Sequence, residues 1–146
     1  MLDTMKPIRT AVYTALNGNI TYDSTAVPVS DEKTGYGNTA NLFIVLTTQQ
    51  ETDESTSEAF ITKSTIEIDI VHKTGSEVSK DAIDDVYQSM MQILIPSTST
   101  IGLTVPGTFQ FQNATRENSI TMPMMLSETE TVMVRRTRLS FTITQK

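Results

Sequence analysis

Phe60-Ile61-Thr62-Lys63-Ser64-Thr65-Ile66-Glu67-Ile68-Asp69-Ile70-Val71-His72-Lys73 is the stretch on which the fold turns. Ile66, Ile68 and Ile70 fall on one side of an extended chain and Thr65, Glu67 and Asp69 on the other, which is the period of two that a strand imposes. A strand with one apolar face needs a layer to cover it. Upstream, Leu42-Phe43-Ile44-Val45-Leu46 is unbroken apolar sequence ending in Thr47-Thr48, which suits a strand covered on both faces at the centre of a sheet. Between the two, Gln49 to Ser57 is polar and acidic, the composition of a projecting hairpin tip. Downstream, Lys73-Thr74-Gly75 closes the strand, and Ser76 or Ser79 opens a helix over about 79–94. Ala82, Ile83, Val86, Tyr87, Met90, Ile93 and Leu94 share its apolar side. Asp81, Asp84 and Asp85 sit early, where the helix dipole favours acids, and Pro96 ends it by constraining Ile95.

A second helix precedes these elements. Met5, Ile8, Val12 and Leu16 make one stripe from about Thr4 to Leu16, with Asp3 or Thr4 as cap, Pro7 in the first turn and Asn17-Gly18-Asn19 as a left-handed stop. Ile20–Tyr22 and Ala26–Val29 read as a small hairpin or extended arm, and Ser30 to Asn41, with its Gly35-Tyr36-Gly37 turn, as a loop. From Ser97 to Met125 the pattern suggests two short strands with irregular connections. Thr131 to Thr144 is β-rich, but Val132 and Val134 have even parity while Leu139, Phe141 and Ile143 have odd. A bulge or bend near Arg135 to Arg138 would reconcile them. The expectation is a single α+β domain over 1–146, a mixed or antiparallel sheet with two helices packed on it in the order helix, strand, strand, helix, strands. It carries a loop insert at about 30–41 and a β-rich C-terminal part at about 97–146.

Composition narrows the function. The chain has 146 residues, a net charge of −6, one histidine, no cysteine and no tryptophan. Disulfides, thiol redox chemistry and Cys-ligated metals are excluded, and a lone His72 leaves little for a histidine metal site. No segment approaches the roughly 20 apolar residues of a membrane span, and Met1 to Asn19 lacks a signal-peptide core, so a cytosolic, soluble protein is expected. Asp23 through Asp85 holds 13 acids against 4 lysines, whereas Ile120 through Lys146 holds 2 glutamates against three arginines and one lysine. Such an acidic balance argues against gripping nucleic acid, which draws on clustered Lys and Arg, but not against a pore through which DNA slides.

No combination of residues reads as an active site. His72 sits at a strand end and is assigned a half-buried structural role. Glu67 and Asp69 lie two apart on one strand face, about 7 Å between side-chain bases, superficially like a glycosidase pair, yet such pairs line opposite walls of a cleft. They are expected on an exposed solvated or interface face. Glu51-Thr52-Asp53-Glu54-Ser55 lacks the spacing of a calcium loop. Arg135, Arg136 and Arg138, with Arg116 possibly close by, form the densest basic cluster. Arg135, Arg136, Arg138, Glu67 and Asp69 are therefore candidate subunit-interface residues, and Glu51, Asp53 and Glu54 a candidate channel-facing or partner-facing loop. Reversing the three arginines to Glu is expected to weaken assembly without unfolding the subunit. No enzyme activity, cofactor or metal is expected.

The order of elements resembles the tail terminator or tail-completion proteins of tailed bacteriophages. The resemblance covers roughly Thr4 to Ile95 and rests on the Ile8, Val12, Leu16 stripe, the Leu42 to Leu46 strand, the Ile66, Ile68, Ile70 alternation and the Ala82 to Leu94 helix. It implies a non-enzymatic virion protein, assembled in the host cytoplasm, that forms a ring of six copies, or twelve if the ring follows a portal. Such a ring sits at the neck between portal or adaptor and tail, and lets DNA pass without binding it specifically. The alternative from another class is a monomeric β-rich binding module for a peptide or glycan.

Overall fold

The computed structural model describes residues 1–31, 40–73, 80–98, 100–125, 128 and 131–145. The Gly35-Tyr36-Gly37 turn, the Thr74-Gly75 strand stop, the Ser76 or Ser79 helix start and Leu126 lie outside the described residues. Helix α1 spans Met5–Leu16 and buries Ile8, Ala11, Val12 and Leu16. Its cap is Asp3, whose carboxylate accepts from the backbone N–H of Met5 (3.1 Å) and Lys6 (3.3 Å). The Thr4 hydroxyl instead donates to Glu51 at 2.6 Å, tying the helix start to the sheet. Gly18 ends the turn at φ +77°, where a side chain would be strained.

Strands β1 (Thr21–Tyr22) and β2 (Thr25–Ala26) form a two-stranded hairpin whose turn residues Asp23 and Ser24 both have positive φ, the primed turn that matches strand twist. The remaining strands are β3 (Val29–Ser30), β4 (Leu42–Asp53), β5 (Ile61–His72), β6 (Phe109–Met125) and β7 (Thr131–Gln145), with helix α2 over Asp81–Leu94 between β5 and β6. They make one sheet in the order β3-β4-β5-β7-β6, parallel only between β3 and β4. The α+β class therefore stands.

Both helices lie on one face of the sheet. Ile44 and Leu46 of β4, Ile66, Ile68 and Ile70 of β5, and Leu139, Phe141 and Ile143 of β7 meet them in a single core. Full burial of each such side chain stabilises the fold by roughly 1.5–3 kcal/mol. On the opposite face Phe43, Val45, Val71, Val132 and Val134 form a second buried cluster. The unbroken apolar run in β4 thus serves two faces, as its composition implies. Thr62 and Ser64 also point to the helix side, where their hydroxyls are buried and meet no hydrogen-bond partner among the described residues.

Three expectations need correction. The strand β4 continues to Asp53, so the tip of the β4–β5 hairpin is 54–60 and Glu51 is a strand residue. Ser97 to Met125 holds one long strand, since Pro123 is tolerated in β6 at the margin of the sheet. Most instructive is β7, which has no bulge near Arg135 to Arg138: its register with β5 is continuous from Met133 to Thr144. The change of parity is a change of face. Val132 and Val134 belong to the outer cluster, Leu139, Phe141 and Ile143 to the helix core, and the arginines fall where the two apolar stretches exchange sides. The bulges lie in β4 between Leu46 and Gln49, and in β6 at Phe111/Asn113 and Arg116/Asn118.

Candidate functional site

The continuous β5–β7 register sets Asp69 opposite Arg136 and Glu67 opposite Arg138, all on the face away from the helices. Cross-strand neighbours stand about 5 Å apart, so opposite charges meet without any loop to position them. Arg136 grips Asp69 in bidentate fashion, Nε to Oδ1 and the terminal nitrogen to Oδ2, both at 2.9 Å. Its Nε also lies 3.7 Å from Glu67. Asp69 is 0% exposed, not on the solvated face the sequence suggested. A carboxylate so far from water persists only when its charge is matched and its oxygens are hydrogen-bonded.

Arg138 reaches Glu117 at 3.0 Å, an ion pair without the alignment of a hydrogen bond, and donates to Gln50 at 3.1 Å. Glu117 also takes Lys63 at 3.1 Å. Glu117 is the extra residue of a β6 bulge, and such bulges re-aim a side chain out of strict alternation. Lys63 was legible as an outer-face residue, having the parity of Glu67 and Asp69; Glu117 was not, because its direction depends on the bulge.

Arg135 points to the helix side. Its guanidinium stacks 3.4 Å from the centre of the Tyr87 ring, donates to Ser119 at 2.8 Å and pairs with Asp84 at 3.0 Å. Arg116 donates to the Tyr87 hydroxyl at 2.6 Å. Tyr87 reads in sequence as one more apolar helix position; in the structure its ring and hydroxyl organise two arginines. These candidate interface charges therefore have partners within the chain.

Of the acidic loop candidates, Glu51 is bonded to Thr4 on the helix side of the sheet. Asp53 and Glu54 lie exposed where β4 runs into the tip. The Ser55 side chain and backbone N–H, the latter at 2.9 Å, hold the Asp53 carboxyl below the ordinary aspartate value. The hairpin end therefore keeps a firmly ionised acid. His72 lines a cavity of about 370 Å³ together with Tyr22, Asp23, Leu42 and residues near them. Among the described residues no group of three or more His, Asp or Glu is arranged to hold a metal, and no helix is long and apolar enough to cross a membrane.

A groove of about 470 Å³ lies between α1 and the segment before β6, lined by Pro7, Ala11, Ala15, Gly102 and Pro106 among others. It is apolar and offers no charged group beyond Lys6.

No family model matches the sequence, and no curated protein matches it. Among solved structures the chain is similar to one titled "Virion of native gene transfer agent (GTA) particle", with 11% sequence identity and a TM-score of 0.67. The match covers 98% of this chain and 99% of the other. At this coverage and TM-score the two chains share a fold along nearly their whole length.

Proposed function

We propose that the protein is a structural subunit of a phage-like virion, forming a ring at the neck or tail junction as a tail terminator or head–tail completion protein. The observation that carries this reading is the end-to-end likeness to a chain of a gene transfer agent virion. Two features of the molecule support it. Among the described residues both margins of the sheet hold backbone that pairs with no further strand and can be shared with neighbours. Its charged clusters hold the subunit together, Arg136 on Asp69 and Arg135 over Tyr87.

In this reading the subunit works by docking and catalyses nothing. Six copies, or twelve if the ring follows a portal, join portal or adaptor to tail around a channel. The outer-face residues Arg136, Arg138, Glu67 and Asp69, with Arg135 on the helix side, stiffen the surface a neighbouring subunit meets. Asp53 and Glu54, at the acidic hairpin end, face the channel and keep passing DNA from adhering by like-charge repulsion. Native mass measurement and electron microscopy of the purified protein test this together. Closed rings at a six-fold or twelve-fold multiple of the 16.2 kDa subunit are expected. A protein that stays monomeric at high concentration and is missing from purified particles would overturn it.

A further inference from the structure

The two margins of the sheet differ in kind. One is β6, which pairs with β7 on its inner side and meets no strand on its outer side among the described residues. The other is divided: β3 pairs with Ile44 and Val45 alone, so the far half of β4, Thr47 to Asp53, also meets no strand on its outer side among the described residues. An open strand presents alternate N–H and C=O groups as a template for another chain. Soluble proteins blunt such margins with charge, proline and bulges; β6 has Pro123 and two bulges, but from Asn113 to Arg116 its edge is regular, and its charges turn inward, Arg116 to Tyr87 and Glu117 to Lys63 and Arg138. It also leaves Ile120, 55% exposed, and Met125 at the surface.

We infer that β6 of one subunit pairs with the open half of β4 of the next copy, so that one sheet runs on from subunit to subunit; this rests on the ring reading above. Rows of partners across the sheet set the register. Thr52 leads through Lys63 and Thr142 to Asn113, and Gln49 leads through Ile66 and Leu139 to Arg116. A step straight across the sheet therefore brings Asn113–Arg116 level with Gln49–Thr52 of the neighbour. Both segments are free of bulges. Direction agrees as well. β4 and β7 run one way and β5 and β6 the other, so a step that preserves orientation makes the new ladder antiparallel, the more stable kind.

Charge selects the occupant. Gln49–Asp53 carries Glu51 and Asp53, whereas Asn113–Arg116 carries Arg116; on the helix side Arg116 and Glu51 become diagonal neighbours of opposite sign across the join. Pairing β4 with β4 would gather the acids of two copies at one join, and pairing β6 with β6 would gather two Arg116 side chains with neither Glu51 nor Asp53 from the other margin. Joining two unlike margins is a heterologous contact, the kind that closes rings.

The chain has no cysteine, which makes a cross-linking test clean. Asn113→Cys and Thr52→Cys put thiols on the same sheet face at exposed positions of the two margins. The full-length double variant, treated with a short bifunctional maleimide, should give a ladder of linked species up to the ring number. Each single variant should stay unlinked. Native mass of the same samples separates the two ideas. Rings that form without a ladder overturn the β6–β4 join and leave the ring reading standing. Linked dimers of either single variant overturn the join in favour of like-with-like pairing. Absence of any assembly removes the ring reading and the join with it.

Discussion

Replacing Arg136 by Met tests what the outer face contributes. Asp69 is fully buried and receives both of its 2.9 Å bonds from this guanidinium. Removing one partner of a fully buried ion pair costs about 3–5 kcal/mol, because the other charge is left unmatched. Arg136 keeps 34% of its side chain in solvent, and water reaching the vacated space lowers that figure. Glu67 acts the other way, since its repulsion of Asp69 is no longer offset once the cation is gone. The expected loss is about 2–3 kcal/mol. With a urea slope of about 2 kcal/mol/M the unfolding midpoint falls by about 1–1.5 M, and Tm by roughly 5–10 °C. Asp69→Asn in the same background should recover part of the loss, as an amide needs no counter-ion. Arg136→Glu should cost more than Arg136→Met, so reversing the arginines perturbs the subunit's own stability before it reaches assembly. A loss under about 0.5 kcal/mol, the level of an ordinary surface substitution, would refute the reasoning, as would independent effects of the two positions in a double-mutant cycle.

Ser64→Ala removes a buried hydroxyl that has no hydrogen-bond partner among the described residues, and should stabilise the protein by about 1 kcal/mol in urea unfolding; a loss of similar size would reveal a partner. Gly102→Ala should destabilise by about 1–3 kcal/mol, because an added Cβ would sit 1.8 Å from the Ile93 carbonyl oxygen while the Gly102 N–H caps the Leu94 carbonyl at 2.8 Å; unchanged Tm would show that the segment shifts freely. NMR titration of the carboxyls should place Asp53 below the ordinary aspartate value, with Ser55→Ala raising it. Because the folded value is depressed, any stability from this contact is present at neutral pH and lost as pH falls through the folded pKa; a midpoint at or above the usual aspartate value would remove the Ser55 contact.

Much of the architecture was legible because periodicity reports burial directly. The Ile66, Ile68, Ile70 alternation and the Ile8, Val12, Leu16 stripe each name the face that meets the core, and both do so here. What failed to show was whatever depends on long-range register. The parity change in β7 looked like a bulge because one-face burial was assumed, and only pairing with β5 shows that each half of the strand serves its own face. The candidate arginines and acids were identifiable by charge, but their partners were not: Arg136 and Asp69 are separated by 67 residues, and Glu117 joins through a bulge that single-chain alternation cannot express. Tyr87 escaped notice since an aromatic ring in an apolar helix stripe looks the same in sequence whether it fills a core or carries a guanidinium.

The face exchange along β7 acts as a proofreading device. Were the strand to slip by one position, Arg136 and Arg138 would be driven beneath the helices while Leu139, Phe141 and Ile143 turned outward to water, and Asp69 would face Arg135 or Thr137 in place of Arg136. Every such misalignment pays in several currencies at once, so the sequence of the last strand excludes near-miss folds more strongly than a uniformly amphipathic strand would.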